Sequence, residues 1–299
     1  MRAWIGILLL ALPAFPTQAD FGNLLRGVLQ QSLATPPQQA PQQPAQPAAP
    51  QGDARARPAG LLLGAVTQGE TSAEEERQIG AQIVGNLLGV APLVNDDRLQ
   101  RYVNLVGRWV AAQSERPDIN WRFGVIDSDD INAFAAPGGY ILVTKGLYQR
   151  LKNEAELAGV LGHEVGHVLM RHHLKVLQKS KVVAALGALA SAQAKQEWVQ
   201  NLIGNGAEIV ARGLDKEAEY EADRIGMILA ARAGYDAYGL PAVLQEIGHV
   251  PAKDNRVALL YTTHPHPDDR FAQLSEAVGN RLDGLPGGAQ LDKRFYRIK

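Results

Sequence analysis

Residues 153–173 constrain this chain more than any other stretch. Leu157, Val160, Leu161, Val165 and Val168 recur at helical spacing, and Asn153 with Glu156 has the form of a capping box at the start. The pattern predicts a helix with a buried stripe, running to about His173. That helix carries His163-Glu164-Val165-Gly166-His167 in its middle. Histidines at i and i+4 stand one turn apart on one face, so both rings can reach a single metal ion. Glu164 is rotated by one residue and meets a metal-bound water instead of the metal. Such a set suits metal-assisted hydrolysis, with zinc acidifying the water and the carboxylate passing its proton to a leaving amine. Gly159, Gly162 and Gly166 each cost helix stability, about 1 kcal/mol. Three of them predict close approach of another element.

The chain's composition narrows the metal chemistry. There is no Cys among 299 residues, which excludes disulfides, iron–sulfur clusters, thiolate zinc sites and cysteine nucleophiles. Any metal must be held by His and carboxylate. The balance of 30 Lys+Arg against 31 Asp+Glu, a formal charge of −1, lacks the basic surplus of a nucleic-acid binder.

A catalytic zinc usually has three protein ligands and a water. His173, six residues after His167, has a known ligand spacing, but Met170 stands where a glycine would bend the chain back. A continuous helix carries His172 and His173 away to a solvated face. The better candidate is Glu219, in Glu217-Ala218-Glu219-Tyr220-Glu221-Ala222-Asp223. This stretch opens a helix capped by Asp215 that continues through Ile225, Ile228 and Leu229. Glu219 and Asp223 share a face with Gly226 and Ala230. Asp223 is placed to hydrogen-bond a ligand histidine and fix its tautomer. Glu217 and Glu221 are expected on an exposed, charged edge.

The surroundings read as a helix-rich domain with a small sheet. Ser72 and Glu75 form a capping box ahead of Ile79, Ile83 and Leu87. A second helix runs from about Asp96 through Leu99, Val103, Val106 and Val110. Trp121–Ile126 alternates as a strand should, and Tyr140–Val143 is a second strand entered through Pro137-Gly138-Gly139. Thr144 opens a short helix. Further on, Thr263-His264-Pro265-His266-Pro267 is held extended before a helix starting near Asp268.

Taken together, His163-Glu164-x-x-His167, Glu219-x-x-x-Asp223, Thr263-His264-Pro265 with Arg270, and Asn132-Ala133-Phe134-Ala135 before Gly138-Gly139 resemble the HtpX/BepA and CAAX-prenyl endopeptidase family, metallopeptidase family forty-eight among the gluzincins. The resemblance spans about Ser72 to Leu274. It implies an α+β, mostly helical minigluzincin-type domain with a small sheet, and one zinc ion per chain. It makes His163, His167 and Glu219 the ligands and Asp223 the neighbour of one of them. It also implies that an extended polypeptide is held along the sheet edge near Asn132, Ala133, Phe134 and Ala135, although an ordinary core strand fits the same residues. His264 becomes a candidate latch on the metal or a structural loop residue. Arg270 becomes a substrate or oxyanion ligand, or the partner of a helix carboxylate.

The remaining segments organise the chain. Arg2, the apolar run Trp4–Leu12 and Thr17-Gln18-Ala19 read as a secretory signal over 1–19. Residues 20–69 form an N-terminal segment whose Thr35–Gln51 stretch of Pro, Gln and Ala reads as a linker. The metallopeptidase domain is set at 70–285 and a tail at 286–299. No apolar run reaches membrane-spanning length, with peripheral contact through Phe21–Leu33 left open. Val182–Ala190 is a modest apolar patch read as a buried helix ahead of a lid or a membrane contact. The expected protein is an exported zinc endopeptidase of a Gram-negative periplasm acting on unfolded or misassembled proteins. The rival is a zinc-stabilised, non-hydrolytic chaperone or scaffold.

Overall fold

A computed structural model describes residues 71–176, 214–279, 281 and 287–298. The export signal, the Pro/Gln segment, Phe21–Leu33 and the Val182–Ala190 patch lie outside the described residues.

Helix α1 (Ala73–Val90) begins at the expected box, with Ser72 and Glu75 satisfying each other's backbone N–H groups, and buries Gly80, Ile83 and Leu87. Helix α2 (Asp97–Ala111) starts where Asp96 accepts from the Arg98 and Leu99 amides, and buries Leu99, Val103, Val106 and Val110. Strands β1 (Arg122–Ile126), β2 (Ala133–Ala136) and β3 (Tyr140–Thr144) form one sheet in the order β1-β3-β2. β1 runs parallel to β3 and β2 antiparallel to it, with Ala136 opposite Tyr140. The tight return from β2 to β3 needs Gly138 at φ 77° and Gly139 at φ 94°.

Both faces of the sheet are covered. Ala133, Ala135, Ile141 and Val143 pack into the main core, while Phe134, Ala136, Tyr140 and Leu142 pack with Ile83 and Leu87 of α1. This is the period-two division of a strand whose two faces are both dry. The short helix α3 (Lys145–Tyr148) leads to α4 (Glu154–Leu169), which is buried from Glu154 to Val168. A helix buried all round is the centre of its domain, more than the single stripe expected from sequence. Helices α5 (Lys216–Arg232), α6 (Gly239–Gly248), α7 (Leu260–Thr263) and α8 (Pro267–Val278) complete it.

The three glycines of α4 have their reason. A Cβ on Gly159 would come within 2.7 Å of the Leu240 backbone on α6, one on Gly162 within 2.8 Å of Gly226 on α5, and one on Gly166 within 3.1 Å of Ala222. The helices touch backbone to backbone.

Two features differ from the sequence reading. Helix α4 stops at Leu169 rather than about His173, because Arg171 takes φ 55° and breaks it; Arg171 reaches back to Glu76 of α1 at 2.9 Å. The stretch set apart as a tail packs onto the domain: Ala289 bridges Tyr235, Phe295 stacks on Tyr148 at 5.1 Å, and Arg294 pairs with buried Glu154. Tyr102 and Tyr235 also donate to Glu154, each at 2.8 Å.

Candidate metal centre

Helices α4 and α5 cross where glycine meets glycine, and this brings Glu219 over the histidine pair. His163 Nε2 and His167 Nε2 are 3.0 Å apart. Glu219 Oε2 lies 3.7 Å from the first and Oε1 lies 3.5 Å from the second. His264 Nε2 is 3.7 Å from Glu219 Oε2, and one ligand atom from each of the four residues fits within 4.8 Å.

The remaining ring nitrogens are engaged from behind. His163 Nδ1 lies 2.9 Å from Asp223 Oδ1. Asp223 is gripped on both oxygens by Arg270, Nε at 3.0 Å and Nη2 at 2.5 Å. His167 Nδ1 is 2.9 Å from His172 Nδ1, and His172 Nε2 is 3.1 Å from Glu221 Oε2. The acceptors assign the tautomers: His163 donates to Asp223, His167 to His172, and His172 to Glu221. The first two assignments leave the Nε2 lone pairs of His163 and His167 for the gap beneath Glu219.

This gap fits a metal. Both Glu219 oxygens are buried with no hydrogen-bond partner, an expensive state for a carboxylate unless a cation completes it. Tetrahedral zinc with bonds of about 2.0–2.1 Å holds its ligand atoms about 3.3 Å apart. The separations of 3.0, 3.5 and 3.7 Å lie around that value. His163, His167 and Glu219 are a His and carboxylate set, as a chain without Cys requires.

Charges respond to burial. Burial pushes Glu164 up to about 8, with Arg270 opposing, and lifts Glu219 well above the usual carboxylate range. Burial likewise lowers His163, and lowers His167 and His264 far. Burial alone would raise Asp223, but Arg270 and His163 outweigh it and hold the carboxyl below its usual range.

Glu164 faces a cleft with two lobes. One is lined by Ala133, Phe134 and Ala135 of β2 together with His167, His173 and His264. The other is apolar, built from Val160, Leu240, Val243, Leu244, Ile247 and Leu260, with Asn132 at its wall. β2 is the terminal strand of the sheet, so one of its edges has no strand partner among the described residues.

Every residue chosen from sequence for the metal, its neighbour and the water is thus brought together. Arg270 takes the carboxylate-pairing alternative. His172 and His173 correct the expectation of a solvated face: both are buried, because the break at Arg171 turns them back under His167. Glu221, expected on an exposed edge, is the far end of the His167–His172 chain and is only partly exposed. A signal existed in the histidine spacing, since four of the seven histidines (163, 167, 172 and 173) fall within one short stretch.

Comparison with known proteins gives a consistent result. Residues 97–278 match the profile of Peptidase family M48. The Beta-barrel assembly-enhancing protease of Escherichia coli (strain K12) is 31% identical over 235 residues, 75% of this chain and 47% of that protein. The Yersinia pestis protein of the same name is 28% identical over 238 residues, 76% of this chain and 49% of its own. Mitochondrial metalloendopeptidase OMA1 of Arabidopsis thaliana is 30% identical over 185 residues, 62% of this chain and 37% of its own. The chain spans about half the length, or less, of these relatives.

Proposed function

Because the chain belongs to peptidase family M48, whose members are metal-dependent peptidases, we propose that it is a zinc endopeptidase with one zinc per chain, held by His163, His167 and Glu219. The observation that carries this reading is the partnerless, buried Glu219 carboxylate converging with two histidine lone pairs beside Glu164. Bound zinc supplies Lewis acidity, polarising the scissile carbonyl and acidifying a water. Glu164 takes the proton of the attacking water and delivers it to the leaving amine nitrogen. Burial raises Glu164 in the metal-free protein, which favours the donating half of that task, and a bound cation would draw the carboxyl back toward the accepting form.

The other side chains orient and bind. Asp223 and Arg270 fix His163, and His172 with Glu221 fixes His167. Arg270 holds Asp223 through Nε and Nη2, and its Nη2 also lies 3.1 Å from His163 Nδ1. An extended polypeptide pairs along the terminal strand at Ala133, Phe134 and Ala135, and Asn132, whose Nδ2 is buried without a partner among the described residues, binds its backbone. His264, already beside Glu219, serves as a reversible latch on the fourth position.

The relatives named for β-barrel assembly support unfolded or misassembled exported proteins as the substrate class. They come from Gram-negative bacteria, which with the signal-like residues 1–19 supports the periplasm as the site of action. No described helix is long and apolar enough to cross a membrane.

The test is Glu164→Gln. It should retain one zinc and the fold while losing casein hydrolysis by about 10²–10⁴-fold. Cleavage at the wild-type rate would contradict the assignment, and zinc binding without turnover in wild type would favour the chaperone or scaffold.

A further inference from the structure

The hydrolytic step creates a negative charge, and among the residues assigned so far the unpaired donor is Asn132 Nδ2, which the reading above gives to the substrate backbone. Water oxygen bonds to the carbonyl carbon, the carbonyl π pair moves onto its oxygen, and the water's proton goes to Glu164. The C–N bond then breaks as nitrogen takes that proton. Donors aimed at the developing oxyanion are usually a large part of the rate enhancement. Arg270 turns Nε and Nη2 toward Asp223, and Nη2 also lies 3.1 Å from His163 Nδ1. His264 is bonded through Nδ1 to Thr263 Oγ1 at 2.8 Å, with Nε2 facing Glu219. His172 is spent between His167 and Glu221.

His173 is different. The residue is 8% exposed, and its ring lies 5.8 Å, centroid to centroid, from that of His167. It lines the same lobe as Glu164 and the β2 edge. Its Nδ1 is buried with no hydrogen-bond partner among the described residues. A buried ring nitrogen with no partner among the described residues is costly, and a charged oxygen arriving in the cleft is a partner it could take. The Arg171 break puts it there, since an unbroken helix would carry it off to solvent.

Resting on the peptidase reading above, we propose that His173 is a catalytic residue whose ring N–H hydrogen-bonds the oxyanion of the tetrahedral intermediate. His173→Phe keeps the ring volume and removes the N–H. In the zinc-loaded full chain, kcat on a fluorogenic peptide should fall about 10²-fold, with KM within about twofold. Affinity for a phosphonamidate peptide, which mimics the intermediate, should fall by a similar factor while zinc content is unchanged. His173→Gln, which restores a donor, should recover part of kcat. An unchanged kcat, a loss confined to KM, undiminished affinity for the phosphonamidate, or loss of zinc in step with activity would each overturn the assignment. An active wild type indifferent to His173→Phe sinks this inference alone, whereas a wild type that binds zinc and never turns over sinks the parent reading as well.

Discussion

Gly226→Ala probes the link between helix packing and metal binding. A Cβ on Gly226 would sit 2.5 Å from the backbone nitrogen of His163 and 2.8 Å from its Cα, where ordinary contact begins at 3.4 Å. These are backbone atoms, so no rotamer relieves the clash, and α4 and α5 must part by roughly 0.9 Å. Glu219 rides on α5 and the histidines on α4. A shift of that size takes the 3.5 and 3.7 Å separations well past the roughly 3.3 Å that one zinc allows. Stability should fall by no more than about 2 kcal/mol, because about 1–3 kcal/mol of overpacking is partly offset by about 1 kcal/mol of helix propensity. Zinc affinity should fall about 10- to 100-fold, the range seen when ligand orientation is disturbed. Chelator competition measures the affinity, and urea unfolding of the metal-free protein measures the stability. Gly85→Ala is the control: its Cβ meets nothing within 4 Å, so it should stabilise by up to about 1 kcal/mol and leave zinc alone. Zinc affinity of Gly226→Ala within twofold of wild type would refute the packing argument.

Other consequences follow from charge and contact. In the metal-free protein burial lifts the Glu219 carboxyl well above its usual range and lowers His163 and His167, so zinc binding should release protons from the carboxyl, seen as a calorimetric heat that varies with buffer; a buffer-independent heat would contradict this. The same raised carboxyl makes the metal-free fold lose stability as pH climbs above the unfolded value of about 4.3, because the unfolded chain then binds fewer protons. Burial alone would raise Glu154, but Arg294, Tyr235 and Tyr102 outweigh it and hold the carboxyl low. Its contribution is therefore present above about pH 4.3 and lost as pH falls through the lower folded value. Arg294→Ala should cost about 1 kcal/mol at pH 7 and progressively less in acid, by urea unfolding, since the arginine is largely exposed; an equal cost at all pH values would deny the linkage. If His264 latches the fourth position, His264→Ala should cleave peptide faster than wild type, and an equal or slower rate would remove that role.

Much of this site was legible because its signals are local. Capping boxes, the i and i+4 histidines, the carboxylates one turn apart and the α4 glycines all lie within single elements, where period and spacing read directly. What escaped depends on tertiary contact. Nothing in Met170-Arg171 announces a left-handed residue, since glycine usually marks one, so His172 and His173 were sent to the wrong face. β2 is Ala-Phe-Ala-Ala and buried on both sides, so no alternation marks it. Whether Arg270 meets a substrate or Asp223 depends on a contact across 47 residues. The packing of Phe295 onto Tyr148 joins positions still further apart.

The most direct measurement is anomalous diffraction at the zinc edge from crystals of the zinc-loaded protein. The account predicts one peak per chain, about 2.0–2.2 Å from His163 Nε2, His167 Nε2 and a Glu219 oxygen. A peak elsewhere, or an ion on the two histidines with Glu219 turned away, would contradict it.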